Sequence, residues 1–215
     1  MRPAARSGRR RARRQRLIPV LAGCAGFFLM ALSGLADTRG RRVARAAFAA
    51  GAFLAFGPAF VLLAATGPRL ALQPAARAAA LAVSALFAWL LLRALVLDLR
   101  PPRPSAASGA ADREPPAPRV PPEAGPRFLS ERGLYALCRH PGVPALCGFQ
   151  ASLAVATASR GLLVALAPWT ACNLALAALE DRFTFPAVFG DAYRAYRARV
   201  PFLIPNAMRN IRRKP

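Results

Sequence analysis

Histidine is almost missing from this chain of 215 residues: His140 is the only one. Any site built from several imidazoles, di-iron desaturase-like or zinc-hydrolase-like, is therefore excluded, and no metal is expected. Acids are scarce too, with 9 Asp and Glu against 31 Lys and Arg, of which only Lys214 is lysine. The four cysteines, Cys24, Cys138, Cys147 and Cys172, form no CxxC pair. Three lie in apolar stretches, where cysteine behaves as a small hydrophobe, so neither a disulfide framework nor a metal site is implied.

What is present is apolar. Hydrophobic residues make up 55% of the chain and mean hydropathy is +0.31, yet the formal net charge is +22. Charge and hydrophobicity must then be segregated, and the arginines do sit between long apolar runs. Those runs approach the roughly 20 residues a helix needs to cross a bilayer. The pattern predicts an all-α, polytopic membrane protein. A sequence pI near 11.9 is in the range of nucleic-acid binders. Arginines flanking membrane spans are explained more simply by snorkelling and anionic lipid, so no nucleic-acid partner is expected.

About five transmembrane helices are predicted. Residues 1–16 hold eight arginines and no acid, and residues 17–36 follow without a charge. This run is long for a signal peptide and is read as a first span. The second covers about 46–66, with Pro58 a predicted kink. The third covers about 78–97, with Arg93 one turn from its end and expected to snorkel. Two further runs, 143–158 and 162–179, are separated by Ser159-Arg160-Gly161 and predict a helical hairpin. The first arm is short. Between them and the N-terminal spans, nine of the 27 residues 100–126 are proline, which predicts an extended linker. Three parts result: 1–99, 100–126 and 127–215.

After Glu180 the pattern turns amphipathic. Phe189, Tyr193, Tyr196 and Val200 fall on one helical face, predicting an interfacial helix with its aromatic side against the membrane. The tail 209–214 is basic and suited to headgroups. With five spans, a cytoplasmic C-terminus places 19 basic residues inside and 11 outside, but leaves the eight N-terminal arginines on the unfavoured side. An Arg-rich, Lys-poor composition points to a bacterial source, hence to the inner membrane. Trp89 and Trp169 are expected to pack or anchor at the interface. Gln150 and Asn173, polar residues inside the hairpin arms, are expected to hydrogen-bond between helices.

The hairpin returns its ends to one face, so Tyr135, Arg139, His140 and Pro141 come back near Glu180 and Asp181, with Tyr193 and Tyr196 beyond. By residue type alone these groups either anchor span ends or form a site. Their order resembles a known family. Arg139-His140-Pro141 precedes the hairpin and Leu179-Glu180-Asp181 ends it. Phe189-Gly190-Asp191-Ala192-Tyr193-Arg194-Ala195-Tyr196 follows, then Val200-Pro201 and Ile204-Pro205-Asn206. Over about residues 128–206 the chain is similar to the isoprenylcysteine carboxyl methyltransferase and phospholipid methyltransferase group of integral membrane enzymes. The first three spans contribute little to the match.

The resemblance implies S-adenosylmethionine as cofactor, a pocket at the cytosolic membrane face, and a hydrophobic or lipid-linked acceptor arriving from the lipid. Carried onto this chain, it implies cofactor-binding roles for Tyr135, Arg139, His140, Pro141, Glu180, Asp181, Tyr193 and Tyr196, and catalytic roles for Glu180 and His140. Methyl transfer from a sulfonium needs alignment and water exclusion more than strong acid or base groups. Glu180 suits the cofactor's ammonium and Arg139 its carboxylate. Arg182 or Arg194 would orient a carboxylate acceptor, and His140 would act as base toward an amine or hydroxyl. The chain departs from the family where Val143 replaces a customary tyrosine and where Asp181 replaces the second glutamate. Two other readings compete: a non-catalytic scaffold or lipid-binding protein that keeps the fold, and a nicotinamide-dependent membrane reductase.

Overall fold

A computed structural model describes residues 3–99 and 129–204, the side chains of 3–16 excepted. The linker 100–126, the Pro205-Asn206 pair and the basic tail lie outside the described residues.

The described residues are helical and contain no strand. In chain order the helices are α1 (Pro3–Thr38), α2 (Arg42–Ala65), α3 (Pro74–Leu92), α4 (Gly142–Ala156), α5 (Arg160–Leu179), α6 (Phe185–Phe189) and α7 (Asp191–Arg199). Among the described residues four segments are long and apolar enough to cross a membrane: Leu17–Thr38, Arg42–Ala65, Pro74–Leu97 and Arg160–Phe189. The fourth apolar run of the sequence forms only the 15-residue α4, which falls short of that length. At 1.5 Å per residue it reaches about 22 Å. Around the bundle, Phe53, Leu54, Val61 and Val164 are at least 65% exposed. Such a surface is a liability in water and is matched in hydrocarbon.

Local chemistry sets the helix ends. Pro74 opens α3, where a missing N–H is tolerated. Ser159 caps α5: its hydroxyl accepts from the Leu162 amide at 3.2 Å and donates to the Leu63 carbonyl at the end of α2 at 2.5 Å. Arg69 supplies donors to the carbonyls of Ala64, Ala65 and Thr157 within 2.8 Å, satisfying the ends of α2 and α4 together. This is one end of the bundle.

α1 packs along α2 and across α5, α3 packs on α4, and α4 on α5. The core joins Ala59 and Leu63 of α2, Ala154 of α4, and Leu162, Ala165 and Trp169 of α5. Close approach depends on two glycines. A Cβ at Gly23 would lie 2.3 Å from the Trp169 indole, and one at Gly148 would lie 2.3 Å from the Phe87 ring. Trp169 is a core residue, 1% exposed, donating its indole N–H to the Val20 carbonyl at 2.9 Å, whereas Trp89 is 51% exposed.

At the opposite end, α3 runs into a wide π turn, Arg93–Leu97, that delivers Asp98. Arg93, expected to snorkel, has a partner within the chain: its guanidinium lies 3.4 Å from the Asp98 carboxylate. Asp98 also accepts from the Leu134 amide at 2.9 Å, and its carbonyl accepts from Ser130 at 2.5 Å. These contacts fasten the chain after the linker to the end of α3.

The C-terminal region corrects the sequence reading. The last apolar helix does not end at Glu180 but continues through a π turn, Glu180–Thr184, into α6. The amphipathic stretch is not one helix either. Gly190, at φ 58° and ψ −132°, separates α6 from α7, a backbone conformation open essentially to glycine. Tyr193 and Tyr196 are each 1% exposed and pack into protein rather than against lipid, because their hydroxyls find partners inside.

Candidate functional site

The segment that enters α4 is held from three sides. Tyr135, in a short 3₁₀ turn (Gly133–Ala136), donates to the Ala94 carbonyl at 2.9 Å, and Tyr196 of α7 donates to the Tyr135 carbonyl at 2.7 Å. The amides of Arg139 and His140 donate to the carbonyls of Pro201 and Phe202 at 2.9 and 3.2 Å. Arg139 and His140 are thus fixed by backbone before their side chains are used.

Those side chains meet the end of α5. Arg139 donates to Asp181 Oδ1 at 2.6 Å, Tyr193 donates to the same oxygen at 2.5 Å, and Arg197 Nε lies 3.4 Å from Oδ2. His140 Nδ1 stands 4.0 Å from Glu180 Oε2, and its Nε2 stands 3.7 Å from Asp181 Oδ1. The imidazole stacks on Phe185 at 5.7 Å between centroids and meets Phe202 edge-on at 4.9 Å. Two buried nitrogens, Arg139 Nε and His140 Nε2, have no hydrogen-bond partner among the described residues.

Beside this cluster lies a cavity of about 390 Å³, within the range of small-molecule sites. Its polar end is lined by Tyr135, Arg139, His140 and Glu180, with Pro141 and Phe185 beside them. Phe27 and Met30 of α1, Phe53 and Phe56 of α2, and Leu91 of α3 supply much of its apolar wall. Of the residues singled out in the sequence, Tyr135, Arg139, His140, Pro141 and Glu180 reach the cavity. Asp181, Tyr193 and Tyr196 do not line it; they form the buried support behind it. Neither arginine considered for orienting a carboxylate acceptor lines it either. Arg194 pairs with Asp191 at 2.7 Å and Arg182 lies over the Phe183 ring.

The acidic pair therefore divides. Glu180 and Asp181 are neighbours on a helix, so their side chains diverge. Glu180 faces the cavity, and Asp181 anchors Arg139 and Tyr193. Val143 is buried and lines the cavity.

Burial also sets the protonation states. It pushes His140 down to about 4; the nearby Asp181 carboxylate opposes the shift and Arg139 adds to it. At neutral pH the imidazole is uncharged and a weak base. Burial raises Tyr135 to about 12, helped by the negative charges of Glu180 and Asp98, and raises Tyr193 and Tyr196 as well. All three phenols remain protonated donors.

Two contributions were not read in the sequence. The N-terminal spans, outside the family resemblance, provide one wall of the cavity, and no single-residue signal marked Phe27, Phe53 or Phe56. Asn173, expected to bond between helices, lines the cavity, and its amide nitrogen has no partner among the described residues. Gln150 likewise leaves its amide nitrogen unpartnered.

No family model matches the chain, and neither does any curated protein or solved structure.

Proposed function

We propose that this chain is an integral membrane methyltransferase that uses S-adenosylmethionine to methylate a hydrophobic or lipid-linked acceptor. The observation that carries this reading is one cavity with a charged end and an apolar wall: Arg139, His140 and Glu180 at one side, helices α1 to α3 at the other.

The donor set suits the cofactor. Glu180 offers a carboxylate for an ammonium group. Arg139 Nε, buried without a hydrogen-bond partner among the described residues, is an N–H that a carboxylate or hydroxyl would satisfy. When bound, the cofactor supplies an electrophilic methyl group on a positive sulfur. The chain then has to orient the acceptor and exclude water, for which positioning is worth about 7–11 kcal/mol of barrier. Asp181 and Tyr193 hold Arg139, and Phe185 and Phe202 hold the imidazole plane. His140, a weak base when buried, serves by hydrogen bonding.

Five crossings are part of the proposal, with α4 and α5 acting as a membrane hairpin. In support, Ser159 bonds to the end of α2 while His140 and Glu180 meet at the other end of the bundle. We place the site at the cytoplasmic face of a bacterial inner membrane. The end of the bundle that carries it also carries Arg39, Arg41, Arg42 and Arg45 of the α1–α2 connection and Arg194, Arg197 and Arg199 of α7, in keeping with the positive-inside rule.

The test is calorimetric binding of the demethylated cofactor product to detergent-purified protein, beside Glu180→Ala and His140→Ala. Saturable binding lost in Glu180→Ala supports the proposal. No binding by folded wild type, with or without lipid, rejects it. The predominantly apolar cavity wall favours lipid binding without catalysis as the next reading, which lipid binding in the absence of cofactor binding would select.

A further inference from the structure

α5 buries a regular stripe of residues: Leu162, Ala165, Trp169, Asn173 and Ala177. Four are apolar. Asn173 is the exception, 8% exposed, and its amide nitrogen meets no partner among the described residues. It lines the same cavity as Glu180, seven residues further along the helix. Seven residues are two turns, about 10 Å along the axis, so the carboxamide sits well below the charged end of the site. Phe27, Phe56, Leu91 and Leu146, which line the cavity with it, have no side-chain group to accept a hydrogen bond from it.

An amide left unpaired among hydrocarbon side chains is unfavourable, and a leucine of similar volume would remove the problem. The group becomes favourable when a ligand supplies the missing partner. Rotation about the terminal side-chain bond turns either the N–H₂ or the carbonyl oxygen toward the cavity. We propose that Asn173 is a specificity-determining residue. Its N–H donates to an acceptor oxygen carried by the lipidic ligand about two helical turns below the group held at Glu180. The ligand so recognised has a second polar position within its apolar part, as the glycerol ester carbonyls lie beneath the headgroup of a diacyl lipid. A plain hydrocarbon or isoprenoid chain has none. The inference rests on the proposed cavity for a lipidic acceptor and does not require methyl transfer.

The probes are dioleoyl phosphatidylethanolamine and its dioleyl ether counterpart, which keeps headgroup and chains but lacks the ester carbonyls. Their binding to the full-length, detergent-purified protein is compared by native mass spectrometry. Wild type should favour the ester by about tenfold, the ratio carried by one hydrogen bond of ordinary strength. Asn173→Leu should bind the ether lipid as wild type does and lose the ester preference. Its melting temperature, unchanged or raised, reports that it folds. Equal binding of both lipids by wild type overturns the inference without needing any variant. So does an ester preference that persists in Asn173→Leu, or failure of wild type to bind either lipid. Calorimetry with the cofactor product separates the two proposals. Product binding without ester preference leaves the methyltransferase reading standing alone, and ester preference without product binding leaves Asn173's role standing alone.

Discussion

Arg139 and Tyr193 share one carboxylate oxygen: both donate to Asp181 Oδ1, at 2.6 and 2.5 Å, with Arg139 and Asp181 each about one-tenth exposed in their side chains. The segment before α4 and helix α7 are thereby tied to a single residue at the end of α5.

Removing that residue should be costly. Asp181→Ala leaves the Arg139 guanidinium buried without its carboxylate, a change of about 3–5 kcal/mol. Tyr193→Phe deletes one charge-assisted hydrogen bond and should cost roughly 1.5–3 kcal/mol. Denaturant unfolding in detergent should rank Asp181→Ala well below Tyr193→Phe, with Asp181→Asn between them. Equal stabilities would show that Asp181 does not organise the cluster.

His140 makes stability depend on pH. Its folded value of about 4 lies below the ordinary 6.5, so the unfolded chain binds the proton first as pH falls. Stability from the neutral imidazole is complete above pH 6.5, declines between 6.5 and about 4, and is lost below. A separation of that size corresponds to about 3 kcal/mol. Melting temperature followed from pH 7 to 4 should fall more steeply for wild type than for His140→Gln, and parallel profiles would remove the assignment.

Gly133 has a positive φ of 58°, and a Cβ there would come within 2.4 Å of the Asp98 carboxylate. Gly190 shares the φ value but has no neighbour within 4 Å of its Cβ position. Gly190→Ala should therefore lose only what backbone strain costs, about 1–3 kcal/mol. Gly133→Ala should lose more, because the Asp98 bond to the Leu134 amide must also shift. Comparing the two unfolding midpoints decides it.

At Gly23 the packing prediction is a coupled one. Gly23→Ala drives a methyl group into the Trp169 indole, for about 1–3 kcal/mol of overpacking. Trp169→Phe makes room while giving up the bond to the Val20 carbonyl. The double variant should be more stable than the sum of the two losses by at least about 0.5 kcal/mol. Simple additivity would mean that the two positions do not touch.

The helices were largely legible in the sequence because each apolar run reports its own environment. The runs at 17–36, 46–66, 78–97 and 162–179 correspond to α1, α2, α3 with its π turn, and α5. Arg139, His140 and Glu180 were legible as neighbours because a short connection between apolar helices returns the chain. Asp181 was harder. Adjacent acids look alike in a sequence, and only the helical phase at the π turn sends one to the cavity and the other into the support. Tyr193 and Tyr196 misled for a related reason. Their spacing marks an apolar face, and spacing does not say whether lipid or protein covers it.

By itself, then, the sequence determined the medium and the elements: alternating arginine-rich and apolar blocks can satisfy their backbone only as helices in a membrane-like setting. Tertiary structure alone decided that α1, α2 and α3 wall the cavity and that Asn173 lies unpaired within it. It also decided that burial holds His140 neutral. These depend on contacts between residues far apart in the sequence, and burial at such contacts is set by how helices pack, which no local pattern encodes.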